Sequence, residues 1–355
     1  MMELCPGEAL IRPSNPNIQY TGRIDDENPD APVFHFAASS IHLRVRGTRL
    51  RVFVHNIHHF WENRLGVIVN GNQQAFLLPE NGDAVIDLSG LLTGGEDDVL
   101  IFKRQDSCHA FVLHGIALEG ELRPPPERPT RRMEVDGDSV SAGEVSEAEH
   151  CCGQVDPPHQ GQYSNSYLSY AWQAARLLRA ELHDIAQGGI SLQDGTGYFN
   201  APNYLGMLTC YDRVSYDPTF GPCKPWDFTR WTPHVVVVAI GQNDAHPENF
   251  MEADYEGEKA RKWRSDYAHL IALLREKYPR ARIVLSTTIL GHSPQWDEAI
   301  EQVCREIRER DGRVHHFLYS RNGCGTPGHI RGSEAAVMAR ELADFIETLP
   351  GVWDE

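Results

Sequence analysis

The chain is predicted to fold as an all-β sandwich of jelly-roll type, followed by an α/β domain with a doubly wound, five-stranded parallel sheet. Three observations carry this expectation. Up to about residue 122, short runs rich in β-branched and aromatic residues alternate with turn signals. Arg123-Pro-Pro-Pro-Glu-Arg-Pro-Thr130 then interrupts them, a proline-rich stretch that cannot join a sheet interior. From residue 131 onward strand and helix signals alternate, as β–α units do. The implied organisation is a β-sandwich over 1–122, a linker over 123–130 and an α/β domain over 131–355.

In the first part, strands are expected at Phe34–Phe36, Ile41–Arg46, Leu50–Val54 and Leu65–Val69. Asn70-Gly71 follows as a hairpin turn, because both residue types tolerate positive φ. Further strands are expected at Ala75–Leu78, Ala84–Leu88, Asp98–Phe102 and Phe111–Leu118. In the second part the expected order starts with strand Met133–Val135, an irregular loop through Cys151–His159, and a helix over Asn165–Glu181. A strand near His183–Ala186 and an aromatic-rich loop over Ile190–Pro233 come next. Val235–Ile240 is a continuous apolar run, the mark of a strand buried on both faces of a parallel sheet. Helix 256–277, strand Arg282–Ser286, helix 295–310, strand Val314–Leu318 and helix 332–349 complete the pattern.

Composition narrows the function. A hydrophobic fraction of 41% with 23% charged residues fits a folded globular protein. The net charge of −17 argues against nucleic acid or an anionic membrane surface as partner, since both recruit Lys and Arg. No apolar run is long enough to span a bilayer, and the first residues lack a signal-peptide pattern. The expected location is the cytoplasm, or outside the cell if a leader has been removed. Eight cysteines are scattered without CxxC pairs, which leaves one bridge, Cys210 to Cys223, to consider. Seventeen histidines include the cluster His55-Asn-Ile-His58-His59, which lacks i, i+4 spacing and nearby acids and is read as strand or surface histidines rather than metal ligands. No metal or cofactor is expected.

Three segments fall just after strand ends, where an open α/β sheet places its ligands. They are Gly137-Asp138-Ser139 with Gly143, the turn Gly188-Gly189, and Gly241-Gln242-Asn243-Asp244. Each alone is an ordinary turn or cap. Together they supply what acyl transfer requires: a serine nucleophile, Ser139, and donors for the oxyanion from the Ser139 N–H, a Gly189 N–H and the Asn243 amide. Among the candidate bases His246, His292, His315, His316 and His329, His329 lies in a Gly/Pro-rich loop between the last strand and the last helix, again at the carboxyl edge. His246 and His292 share that edge as substrate-side or structural histidines, and His315 and His316 sit within a strand. Trp226 and Trp231 of the aromatic loop are candidates for stacking on sugar rings, the alternative being burial in the domain core.

These four blocks in order resemble the signature of the SGNH (GDSL-type) hydrolases, whose fold is flavodoxin-like. A preceding β-sandwich, with Arg131-Arg-Met-Glu-Val leading into Gly137-Asp138-Ser139, is most similar to carbohydrate esterase family two. The resemblance implies an acetyl esterase acting on acetylated sugars or polysaccharides, with Ser139 as nucleophile and His329 as base. Trp226, Trp231 and His246 are then the expected substrate contacts. The sequence departs from the pattern at Thr326, where these hydrolases usually carry Asp three residues before the histidine, and at Ile330, usually Pro. A Ser–His dyad is therefore expected, with the His329 ring held by a backbone carbonyl, unless an acid arrives from elsewhere in the chain. The rival readings are a non-catalytic carbohydrate-binding protein with a vestigial hydrolase domain, and a lipase or thioesterase of the same superfamily. The natural substrate and the oligomeric state are not legible in the sequence.

Overall fold

The computed structural model describes residues 3–354. They form two compact units. One comprises the chain up to Arg128 together with Gln160–Gln162 and Val214–Lys224, and the other Pro129–His159, Tyr163–Arg213 and the chain from Pro225 on. The two short segments 160–162 and 214–224 thus group with the first unit although they follow the proline-rich stretch.

The first unit is a curled antiparallel sheet of ten strands. Its main strands are β1 (Ser40–His58), β2 (Arg64–Val69), β3 (Asn72–Leu77), β4 (Asn81–Asp87), β5 (Glu96–Lys103) and β6 (His109–Arg123). The two runs expected as separate strands around Gly47 are one continuous strand, β1. It pairs along its length with β6, while its first half also pairs with β5 and its second half with β4. A register shift against Glu119 and Gly120 bends β1 there, so the chain turns the sheet without leaving it. The Asn70-Gly71 hairpin between β2 and β3 forms as read, with both residues at positive φ. Alternate residues of β1, Ile41, Leu43, Val45, Leu50, Val52 and Val54, meet Leu65, Val67, Val99, Ile101, Phe111 and Leu113 in one apolar core.

In the second unit β7 (Arg131–Gly137), β8 (Ala180–Ala186), β9 (Val235–Ala239), β10 (Arg282–Ser286) and β11 (Val314–His316) form a five-stranded sheet in the order β8-β7-β9-β10-β11. All neighbouring pairs are parallel. The four valines of β9 are fully buried, each contributing about 1.5–3 kcal/mol by leaving water. Its helices include α1 (Ser139–Ala142), α2 (Tyr170–Leu178), α3 (Glu258–Lys277), α4 (Pro294–Arg308) and α5 (Gly332–Glu347), with one-turn helices at Met207–Cys210 and Phe250–Ala253.

Helix α2 is shorter than its apolar period suggests. Ser169 restarts the chain by accepting a hydrogen bond from Trp172 N at 3.2 Å, and Arg179, at φ 52°, ends the helix. Strand β8 begins immediately after it. Because the chain runs from β7 to β8 on one side and returns to β9 on the other, the switch point of the sheet lies between β7 and β9. Ligands of such folds bind outside the carboxyl ends at that point. Among the described residues, no helix is long and apolar enough to cross a membrane, and all eight cysteines, Cys210 and Cys223 included, are free thiols.

Candidate active site

Strand β7 runs out at Gly137, and Asp138 caps the short helix that Ser139 opens, accepting from Val140 N at 3.0 Å. Ser139 thereby sits on the first turn of α1, where backbone N–H groups have no partner within the helix. Its side chain is nearly buried, and among the described residues its Oγ bonds to no protein group. Asp138 is fully buried and also accepts from Gln242 Nε2 and, at 3.3 Å, from Asn243 Nδ2. Burial pushes its carboxyl up to about 6 against these hydrogen bonds. The acid of the Gly-Asp-Ser block therefore fastens the loop after β7 to the loop after β9.

The acid of the third block does the same for the glycine loop. Asp244, fully buried, accepts from Leu192 N at 2.9 Å and from Trp263 Nε1 at 2.6 Å, and burial raises its pKa to about 6. Asn243 Nδ2 donates to Ile190 O at 3.0 Å. Gly189 stands between these anchors with φ +73°, and a Cβ there would lie 2.8 Å from the Tyr198 Cβ. Its carbonyl accepts from Tyr198 N and Phe199 N, while its own N–H meets no acceptor among the described residues. The blocks carrying Ser139, Gly189 and Asn243 are thus bound to one another at the carboxyl edge.

His329 arrives from the loop between β11 and α5, at the same edge. The expectation of a ring held by a backbone carbonyl, without an acid, is corrected here. The His329 Nδ1 lies 2.6 Å from Asp156 Oδ2, and the His329 backbone N–H donates to the other oxygen, Oδ1, at 3.0 Å. Arg331 Nη1 donates to that oxygen too, at 2.8 Å. Burial opposes the charge of Asp156, but the His329 ring, with the buried Arg331 guanidinium and the His329 N–H, prevails and keeps the carboxyl well below the usual carboxylate range. Gly328 makes the approach possible: at φ +93°, a Cβ on it would fall 2.6 Å from Asp156 Oδ1. Thr326, at the position where the acid is usual, is spent otherwise. Its hydroxyl donates to Glu334 near the start of α5 and accepts from Gly153 N at 3.0 Å.

The other ring nitrogen, Nε2, faces Glu144 Oε2 at 3.6 Å. Glu144 follows α1 directly, its N–H donating to Ser139 O at 3.0 Å. The imidazole therefore lies between two carboxylates. Burial opposes its charge, but Glu144 and Asp156 prevail and push its pKa up to about 9.

The remaining candidates separate by geometry. His246 is brought to the rim of the site: its Nδ1 bonds Gly197 O at 2.8 Å, and its ring stacks on Tyr198 at 4.1 Å between centroids. Tyr198 itself is 57% exposed, enough to meet a ligand, and it adjoins Gly189. His292 has both ring nitrogens engaged, by Leu290 O at 2.6 Å and Asp297 at 3.0 Å, which leaves none for catalysis. His315 and His316 lie in β11. Trp226 and Trp231 are not at this edge. Trp231 stacks on His183 at 3.6 Å and donates to Glu181 near the start of β8, and Trp226 packs edge-on to the same histidine. Both indoles are buried, so neither offers a face to a sugar; the alternative of core packing holds.

A doubly wound sheet carrying Gly-Asp-Ser, Gly, Gly-x-Asn-Asp and His blocks at its switch point is an SGNH-like fold. The chain is similar to proteins of carbohydrate esterase family two. Residues 20–126 match the model described as Carbohydrate esterase 2 N-terminal. The chain is 31% identical over 271 residues to the cellulase/esterase CelE of Acetivibrio thermocellus, a match spanning 76% of this chain but only 31% of that protein. It is 25% identical to the acetylxylan esterase / glucomannan deacetylase of Cellvibrio japonicus, covering 94% of this chain and 88% of that one. Among solved structures, a family two carbohydrate esterase from Clostridium thermocellum in complex with cellohexaose superposes with a TM-score of 0.80 at 26% identity, covering 94% of this chain and 99% of the other.

Proposed function

We propose that this protein is a serine esterase that removes O-acetyl groups from acetylated carbohydrates, with Ser139 as nucleophile, His329 as general base and Asp156 as the acid that orients it. Ser139 Oγ attacks the acetyl carbonyl carbon while His329 Nε2 takes its proton. Negative charge then gathers on the carbonyl oxygen, which the N–H groups of Ser139 and Gly189 and the Asn243 amide receive. The longer of the two Asn243 contacts, to Asp138, is the one the oxyanion replaces. Collapse breaks the bond to the sugar oxygen, and the imidazolium returns its proton to that oxygen. Water attacks the acetyl-enzyme with His329 again as base, and acetate leaves.

The observation that carries this reading is the His329–Asp156 couple. A carboxylate on Nδ1 fixes the tautomer in which Nε2 accepts a proton, and it stabilises the imidazolium. The histidine starts facing Glu144, and closing onto Ser139 belongs to the substrate-bound geometry, since catalytic hydrogen bonds often tighten only then. His246 and Tyr198 are assigned to the substrate side, where an exposed ring beside the oxyanion site suits a sugar face. The names of the relatives, an acetylxylan esterase / glucomannan deacetylase among them, support the sugar-ester substrate. The vestigial-domain reading rested on the missing acid at Thr326, and Asp156 removes its motive. Labelling by a phosphonate or sulfonyl fluoride tests the nucleophile: Ser139 should be modified in the parent protein and in no other serine's place, and an unlabelled Ser139 overturns the assignment.

A further inference from the structure

The histidine cluster at the end of β1 is scattered by the fold. His58 Nδ1 turns to Asn63 Oδ1 at 2.9 Å and His59 Nδ1 to Asp217 at 2.9 Å. His55 instead finds partners that the sequence places far away. Asp83 lies directly across from it on β4, with Oδ1 2.7 Å from His55 Nδ1. On the other side, β6 carries a bulge between Leu113 and Gly115, so His114 has no opposite residue on β1. A bulge re-aims its extra side chain. The His114 Nε2 comes within 4.0 Å of the same Asp83 oxygen, and the two imidazoles lie 6.1 Å apart at 64°.

We propose that His55, Asp83 and His114 form a transition-metal site of the zinc class that ties together β1, β4 and β6 in the first unit. Two imidazoles and a carboxylate are a donor set for zinc or copper and not for calcium or magnesium, which take oxygen ligands. The three ligand atoms lie within 4.8 Å of one another. A tetrahedral zinc with bonds near 2.1 Å needs edges of about 3.4 Å, so rotamer adjustments at the exposed side chains suffice. The side chains of His55, Asp83 and His114 are 38%, 69% and 38% exposed, so an ion can enter from solvent. A cavity of about 270 Å³ opens beside Asp83 and His114 and leaves room for a water or small anion as fourth ligand. Glu3 and Arg51 also line it, and the Arg51 charge is already matched by Glu8, whose Oε1 accepts from Nε at 2.8 Å. A cation therefore meets no uncompensated positive charge there. His42 and Asp98, 2.7 Å apart on β1 and β5, form a similar pair with no third ligand among the described residues and serve as an internal control.

The test is calorimetric titration of the full, untagged chain with zinc, backed by equilibrium dialysis. One equivalent should bind the parent protein. His114→Ala and His55→Gln should each weaken that binding by about ten- to hundredfold, at least the loss that removing an outer-shell partner brings. His42→Ala should leave it unchanged. Zinc should raise the melting temperature of the parent and not of His114→Ala, while p-nitrophenyl acetate turnover is the same in both. No one-to-one binding to the parent, or binding by both His114→Ala and His55→Gln that equals the parent, overturns the proposal.

Discussion

Replacing Asp156 by Asn isolates what the histidine owes to its acid. The carboxylate accepts from His329 Nδ1, from the His329 backbone N–H and from Arg331. A charged hydrogen bond of this kind contributes about 1.5–3 kcal/mol, and an amide in its place can also hold the wrong imidazole tautomer. Every tenfold in rate is about 1.4 kcal/mol, so the Nδ1 bond and the tautomer together predict a kcat lower by about 10²–10⁴ with KM little changed. The pH profile gives a second, independent reading. His329 is pushed up to about 9, so at pH 7 only about one molecule in a hundred holds the neutral base. For the parent, kcat/KM for p-nitrophenyl acetate should climb about tenfold per pH unit toward 9 and then level. In D156N one of the three carboxylates favouring the imidazolium, Glu144, Asp156 and Asp138, is gone, so the ascending limb should move to lower pH. Far-UV circular dichroism and a melting curve accompany the assay, because Arg331 also loses a partner. A folded D156N with kcat within threefold of the parent and an unmoved pH limb would refute the triad and restore the dyad.

Glu144→Gln should also move the ascending limb to lower pH, since Glu144 faces Nε2 at 3.6 Å, but with a far smaller loss of kcat than D156N. Stability should run opposite to activity. A histidine whose folded pKa is raised contributes stability that is full below its unfolded value near 6.5 and is lost as pH rises to about 9, so chemical denaturation should show a loss on the order of 1–3 kcal/mol across that window, moderated by solvent reaching the ring. Gly189→Ala places a methyl 2.8 Å from the Tyr198 Cβ at a left-handed φ, and displacing that N–H should lower kcat by about 10²–10³. Tyr198→Ala should raise KM for acetylated oligosaccharides and leave p-nitrophenyl acetate turnover near the parent value, whereas Trp231→Ala should cost about 3–5 kcal/mol of stability without a substrate-dependent change in KM.

The sheet, and the placement of most candidate site residues at its carboxyl edge, are legible because their signals are local. The valine run of β9, the Asn70-Gly71 turn and the three glycine-bearing strand ends each declare their geometry within a few residues. The order of blocks then set Ser139, Gly189, Asn243 and His329 along one edge. What escaped were contacts made across the chain. Asp156 is 173 positions from His329, in a loop whose prolines signal only irregularity. The one hint was that an acid stood in an irregular loop following α1, and Gly328, beside the histidine, gives that acid room. The tryptophans are ambiguous in the sequence for a related reason. Aromatic residues in a long loop suit a sugar platform and a core equally, and only the ring of His183 on β8 decides for the core. The scattering of the histidine cluster and the regrouping of His55 with Asp83 and His114 depend on sheet register and a bulge, which no spacing along one strand encodes.

Acetate release from acetylated xylan and glucomannan, followed side by side for the parent and a folded Ser139→Ala variant, tests the esterase assignment most directly. The parent should free acetate from at least one of these polymers, with a rate that climbs toward pH 9, and Ser139→Ala should free none above the uncatalysed background. Acetate release by Ser139→Ala at the parent rate, or none by the parent from any acetylated carbohydrate, would contradict it.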